Sequence, residues 1–315
     1  MEKPRKINQL HDIFDEAEYV DTDVLWEAYS KDNFEVEHTP KNMEGNRVAV
    51  VYFSSNGLYW RGDKNFQHRI IEQNRYEWKK NKLKYADLHI FVRDIWCRYY
   101  FYGINNQVDS IVKLAEFIKE MTQGYDKVIM IGSSAGGYAA SLIGSLNKAD
   151  YVLSFSGQFD VEAFDKYCCE ASKCEYPNDK YYMVKGQDLI ERKQYLQIAE
   201  YVKKADIPIY YFVGNYNQAD VHDCQIAMSL PNVRVFRFEN KKHGMPVDKK
   251  CLADLVNMDK NSLEQIYSMF RGRVFSWNEF GFRVSGLKYT FAVLKNWMKS
   301  VEVILRKLRN KLEKL

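Results

Sequence analysis

Three short stretches of the chain carry side chains that could do covalent chemistry together. The first is Gly132-Ser133-Ser134-Ala135-Gly136-Gly137, which follows the apolar run Lys127–Ile131 and precedes an Ala-rich segment. A β-branched run, a tight turn of small residues and a helix-forming stretch read as strand, turn and helix. The spacing Gly132-x-Ser134-x-Gly136 is that of a nucleophile elbow. Small residues two positions away on each side let the turn close, and the serine hydroxyl then stands clear of the sheet at a helix N-terminus. There the N–H of Ala135 and the helix dipole can face a developing oxyanion. The rival reading is a glycine-rich βα turn of another doubly wound fold. A phosphate loop is disfavoured, because no Gly-Lys-Ser/Thr follows the glycines.

A serine nucleophile needs a base, and the base needs an orienting carboxylate. His243, followed by Gly244, comes just after the alternating run Val233–Phe238, and Asp220 follows the apolar run Ile207–Gly214. The order Ser134, Asp220, His243 is the nucleophile–acid–base order that accompanies such an elbow. Asp223 is the alternative acid, since residues three apart share a helix face. His222 precedes the last strand and so sits on the wrong element for the base. The second oxyanion donor is expected in the small-residue loop after Val48–Phe53, from the N–H of Asn56, with Ser55 and Gly57 as alternatives. Arg93, Asp94 and Trp96 follow the run Ala86–Val92, and ligands of open α/β sheets bind at the carboxyl ends of strands. They are therefore candidate substrate-binding residues, against the reading that Arg93 and Asp94 form an ion pair that shapes a loop.

The elements that must position these groups alternate along the chain. Asn33–His38 reads as an edge strand. Val48–Phe53 is apolar on both faces, as buried parallel strands are, and Ala86–Val92, Lys127–Ile131, Tyr151–Gly157 and Ile207–Gly214 read as further strands of the same sheet. Helices are expected over 12–29, 65–81, 107–123, after the elbow to about Asn147, and over 189–204. The alternation implies an α/β fold with a mostly parallel central sheet flanked by helices. Residues 1–32 read as an N-terminal extension, 33–255 as the catalytic domain with a cap at 158–206, and 256–315 as a helical C-terminal arm.

With the elbow, the Asp220 loop and His243-Gly244 in place, residues 33–250 resemble the α/β-hydrolase superfamily. More narrowly, Tyr52-Phe53-Ser54-Ser55 in the oxyanion loop and the Gly-Ser-Ser-x-Gly-Gly elbow are similar to bacterial α/β-hydrolase-type polysaccharide O-acetyltransferases. That resemblance implies acetyl-CoA or another acyl-CoA as donor, an acyl-serine intermediate and a hydroxyl of a bacterial surface glycan as acceptor. A carboxylesterase or deacetylase on the same scaffold would share every residue named. A non-catalytic scaffold that binds partners through the C-terminal arm is the third reading.

Composition narrows the field. The chain has 315 residues, a formal charge of +4 and 46% hydrophobic residues, which is enough for a sizeable core and no argument for nucleic-acid binding. Its 23 Tyr and 18 Phe suit a surface that stacks on sugar rings. The six cysteines form no disulfide framework and, with only Cys168, Cys169 and Cys174 clustered, no metal site is expected. The absence of an apolar signal segment leads us to expect a cytoplasmic protein. Separately, no bound cofactor is expected.

The last stretch has a pattern of its own. From Leu287 the apolar residues recur in steps of four and three through Leu315, with Trp297 and Ile304 widening the face. The same span holds eight Lys/Arg and two Glu. This reads as a helix lying on an acidic membrane surface at the inner membrane face, as a self-associating coiled coil, or as a helix packed on its own domain. The excess of positive charge disfavours a parallel homodimer.

Overall fold

The computed structural model describes residues 22–39, 46–59, 63–172, 193–241 and 243–312. An eight-stranded sheet runs through the domain in the order β1-β3-β2-β4-β5-β6-β7-β8. The strands are β1 (Phe34–His38), β2 (Val48–Phe53), β3 (Leu88–Val92), β4 (Lys127–Ser133), β5 (Tyr151–Phe155), β6 (Ile209–Gly214), β7 (Val233–Phe238) and β8 (Val274–Phe275). Only β1 runs antiparallel, pairing with β3 from Phe34 opposite Val92 to His38 opposite Leu88. The other neighbours are parallel.

Alternation along each strand builds two cores. From β2, Ala49, Val51 and Phe53 enter one apolar cluster and Val48, Val50 and Tyr52 the other. The first is covered by α1 (Thr22–Tyr29), α2 (Ile111–Met121), α3 (Ala135–Asn147), α5 (Ala199–Ala205) and α6 (Gln218–Met228). The second is covered by α7 (Lys249–Val256), α8 (Lys260–Phe270) and the start of α9 (Trp277–Leu312). A further helix, α4 (Val161–Ser172), follows β5 and packs against α6.

Several elements differ from the sequence expectation. The helix expected over 65–81 is short: Asp63–Phe66 leads into a π-helical turn at Gln67–Glu72, and a 3-10 turn follows at Lys79–Asn81. Asn74 and Trp78 take positive φ between them, which breaks the helix. Trp78 is buried there, its indole N–H donating to Phe53 O at 3.2 Å. Ile70 is buried, but Ile71 is exposed. The helix expected over 189–204 is described only as α5. Parts of the expected N-terminal helix (12–21) and cap (173–192) lie outside the described residues.

The structured domain runs past residue 255. β8 extends the sheet beyond β7, and Phe280 and Tyr289 of α9 are buried in the second core. Gly281 makes this possible, since a Cβ there would lie 2.4 Å from the Tyr289 ring.

Candidate active site

The elbow forms because two glycines permit backbone contacts that no side chain would allow. A Cβ on Gly132 would sit 2.0 Å from Gly136 O, and one on Gly136 would sit 2.3 Å from Phe53 O. The turn after β4 therefore closes against the end of β2. Between them Ser134 takes φ 51° and ψ −126°, a conformation costly for a non-glycine residue. Its N–H donates to Phe155 O at 2.8 Å, tying the strained residue to β5.

Ser134 and His243 meet across 109 residues of chain: Ser134 Oγ lies 2.8 Å from His243 Nε2. His243 Nδ1 lies 2.7 Å from Asp220 Oδ1. A carboxylate only accepts, so Nδ1 carries the proton and donates to Asp220. This leaves Nε2 as the acceptor for the Ser134 hydroxyl. Asp220 is buried on the first turn of α6, where Asn217 caps the helix by accepting from the N–H of Ala219 and Asp220. The arrangement can take a proton from Ser134 as its oxygen attacks a carbonyl, and can hold the imidazolium that results.

Asp223, the alternative acid, does other work. Its Oδ1 accepts from the N–H of Phe159 at 2.7 Å and of Asp160 at 3.0 Å, which pins the loop after β5. Burial pushes its carboxyl well above the usual carboxylate range, against the lowering effect of those two bonds. His222 approaches Asp160, at 3.9 Å, and not the serine.

Around the oxyanion position the alternatives separate. Ala135 is the first residue of α3, where helix geometry leaves the N–H without an intrahelical partner. Ser55 N–H is already engaged, donating to Glu77 Oε2 at 2.8 Å, while its hydroxyl donates to Glu77 Oε1 at 3.1 Å. Ser55 is thus corrected as a donor. Asn56 and Gly57 open a 3-10 turn, and the Asn56 side chain donates to Cys97 O at 3.2 Å.

Arg93, Asp94 and Trp96 are corrected as substrate residues. All three are buried and none lines the cavity that contains Ser134. The Asp94 carboxylate accepts from the N–H groups of Trp96, Arg98 and Tyr100 at 2.9, 2.6 and 2.9 Å, folding the 94–100 loop around itself. Burial raises its pKa to about 6. Arg93 Nε donates to Asn33 Oδ1 at 3.1 Å, and its guanidinium stacks 4.5 Å from the Tyr76 ring. Trp96 packs edge-on against Trp26 and Tyr29 in the core.

The cavity has a volume of about 1320 Å³. Ser134, His243, Asn56, Gly57 and Phe164 line it, and Arg75, Lys79, Lys80 and Lys249 stand along its walls. Glu77 is the one carboxylate among the described residues that line it, and burial raises its pKa. Sequence reasoning missed three residues at the centre. Glu77 lay inside an expected helix. Gln158 places Nε2 3.5 Å from His243 Nε2, and Phe164 sets its ring edge-on at 4.7 Å from the His243 ring. The cap expectation located Gln158 and Phe164 only as part of a region. Among the described residues no cluster of His, Cys, Asp and Glu could hold a metal ion.

The topology around these groups decides the fold. An antiparallel edge strand precedes a parallel sheet, the serine turn follows β4 at its centre, and the acid and histidine follow β6 and β7. The chain has the α/β-hydrolase fold. No protein-family model and no curated protein sequence matches this chain. Among solved structures it is similar to a bifunctional GH43-CE protein of Bacteroides eggerthii, with 13% identity and TM-score 0.44 over 75% of this chain; it spans 35% of that protein's length. It is similar to the capsule O-acetyltransferase of Neisseria meningitidis serogroup A, with 14% identity and TM-score 0.43 over 66% of this chain and 83% of that one. A lipase-esterase related protein from Clostridium acetobutylicum aligns at 18% identity and TM-score 0.41 over 76% of this chain and all (100%) of that one.

Proposed function

We propose that this α/β-hydrolase chain is a serine acyltransferase that moves an acyl group, acetyl in the simplest case, to a hydroxyl of a surface glycan. The observation that carries the reading is the chain of short contacts from Ser134 Oγ to His243 Nε2 and from His243 Nδ1 to Asp220, at 2.8 and 2.7 Å, anchored on a strained serine. In this reading Ser134 Oγ attacks the carbonyl of an acyl thioester while His243 Nε2 takes its proton. The N–H groups of Ala135 and Asn56 receive the oxyanion. His243 then gives the proton to the departing thiolate, which leaves an acyl-serine. The acceptor hydroxyl passes its proton to His243 and attacks the ester, and Ser134 leaves with that proton.

Two features favour transfer over hydrolysis. The cavity exceeds the ~300–1,000 Å³ of a typical single-ligand site, a size that supports a donor and an acceptor bound side by side. Arg75, Lys80 and Lys249 along its walls suit the phosphates of an acyl-CoA, and its aromatic lining (Tyr76, Trp78, Tyr99, Phe164) suits a sugar face. A carboxylesterase or deacetylase is the second reading, favoured by the Ser134–His243 contact alone.

Burst kinetics with p-nitrophenyl acetate test the proposal, on the natural chain and Ser134→Ala, with and without glycan acceptors. A Ser134-dependent burst with slow turnover that an acceptor accelerates is the expected result. Fast Ser134-dependent turnover that no acceptor changes means an esterase. No burst and no fluorophosphonate labelling of Ser134 would overturn the enzyme reading.

A further inference from the structure

The C-terminal helix leaves its apolar stripe uncovered. Gly286, at φ 56° and ψ −140°, breaks α9 in two. The turn after the break is fixed to the domain: Tyr289 is buried, its hydroxyl donates to Asp248 Oδ2 at 2.9 Å, and Lys288 Nζ donates to Asp254 Oδ1 at 2.6 Å. Val293 packs on the same core. At about 100° per residue, Tyr289 and Val293 therefore define the side of the helix that faces the protein.

The stripe points elsewhere. Leu287, Phe291, Leu294, Trp297, Met298, Ile304 and Leu305 fall within an arc of about 140° that excludes Tyr289 and Val293. They are between 50% and 68% exposed. This sets aside packing on the parent domain for these residues. Lys295 and Arg306, both exposed, flank one border of the arc. The span from 287 onward carries eight basic and two acidic residues. No helix among the described residues is long and apolar enough to cross a membrane.

We infer that residues 287–312 lie in the plane of an anionic lipid surface and hold the domain against it. The arc supplies the apolar area that sinks to the headgroup boundary, with Trp297 suited to that depth, and the basic flank meets the lipid charge. Charge complementarity decides the occupant. A second copy of this helix would bring like charges together along the seam, whereas an anionic leaflet neutralises them. The helix is braced on α7, whose Lys249 and Leu252 line the cavity, so docking would hold the cavity at a fixed distance from the surface.

Co-sedimentation of the full chain with vesicles of phosphatidylcholine and phosphatidylglycerol (7:3), and of phosphatidylcholine alone, tests the inference, with analytical ultracentrifugation alongside. Binding to the anionic vesicles is expected to be at least about tenfold stronger than to the neutral ones and to weaken in high salt. Lys295→Glu with Arg306→Glu, and separately Leu294→Ser with Trp297→Ser, should each lower it about tenfold or more. An unchanged circular dichroism spectrum and thermal midpoint show that these surface variants fold, so the absence of enzyme activity in the natural chain would leave the vesicle result standing. No preference for anionic vesicles would overturn the inference, whether the chain is then a monomer or a dimer through this helix.

Discussion

Glu77 grips Ser55 at two points, Oε2 accepting its N–H at 2.8 Å and Oε1 its hydroxyl at 3.1 Å. With Glu77 N–H donating to Ser54 Oγ at 3.3 Å, the loop that carries Asn56 is fixed from outside. In Glu77→Gln one oxygen becomes an NH2 that cannot accept, so the loop loosens. We expect kcat for ester cleavage to fall roughly tenfold with KM little changed. Ser55→Ala, which keeps the N–H bond, should cost less. Steady-state kinetics on the two variants check the order.

Asp220 and Asp223 differ by three positions and should differ in kind. Asp220→Asn is expected to lower kcat by roughly 10³- to 10⁴-fold while the thermal midpoint stays near that of the natural chain, because the wrong imidazole tautomer is then stabilised. Asp223→Ala leaves the buried N–H groups of Phe159 and Asp160 without their acceptor. It should cost about 2 kcal/mol or more of stability. Urea unfolding and kinetics on both variants separate the two roles, and the reverse assignment would show as a large kcat loss in the Asp223 variant at unchanged stability.

Much of this was legible in the sequence because each reactive group follows a strand. Strand ends lie together at one edge of a parallel sheet, so Ser134, Asp220 and His243 could be gathered from chain order alone. The same rule failed for Arg93, Asp94 and Trp96, since it locates a position and not a direction. The backbone after β3 wraps around the Asp94 carboxylate, with positive φ at Cys97, Tyr99 and Tyr100, and turns all three side chains inward. Glu77 was hidden for another reason. It reaches Ser55 only because left-handed residues at Asn74 and Trp78 break the helix that the charge pattern suggests.

Gly136→Ala tests the close approach of elbow and oxyanion loop. The new methyl would meet Phe53 O and Ser54 O, backbone atoms that cannot turn aside. A destabilisation of about 3 kcal/mol is expected in urea unfolding, together with weaker fluorophosphonate labelling of Ser134.

His89 gives stability a pH dependence. It is buried between Tyr52 and Thr39, with Nδ1 3.1 Å from Tyr52 Oη and Nε2 3.2 Å from Thr39 Oγ1. Burial first, and Lys82 second, lower its pKa to about 4. The unfolded chain then binds the proton more readily, so this contribution is complete above about pH 6.5 and is lost as pH falls toward 4. A loss on the order of 2 kcal/mol is expected between pH 7 and 4.5. His89→Gln, which does not titrate, should show a smaller loss in parallel urea titrations.

The two ends of the sheet have a consequence for how the molecule behaves when concentrated. At one end β1 carries Glu35 and Glu37, paired with Lys79 and Lys82. At the other, β7 is covered by a β8 of only two residues. Charged or very short margins offer a poor template for an added strand. Crowding should therefore not drive these molecules together by the cross-strand growth that ends in fibres.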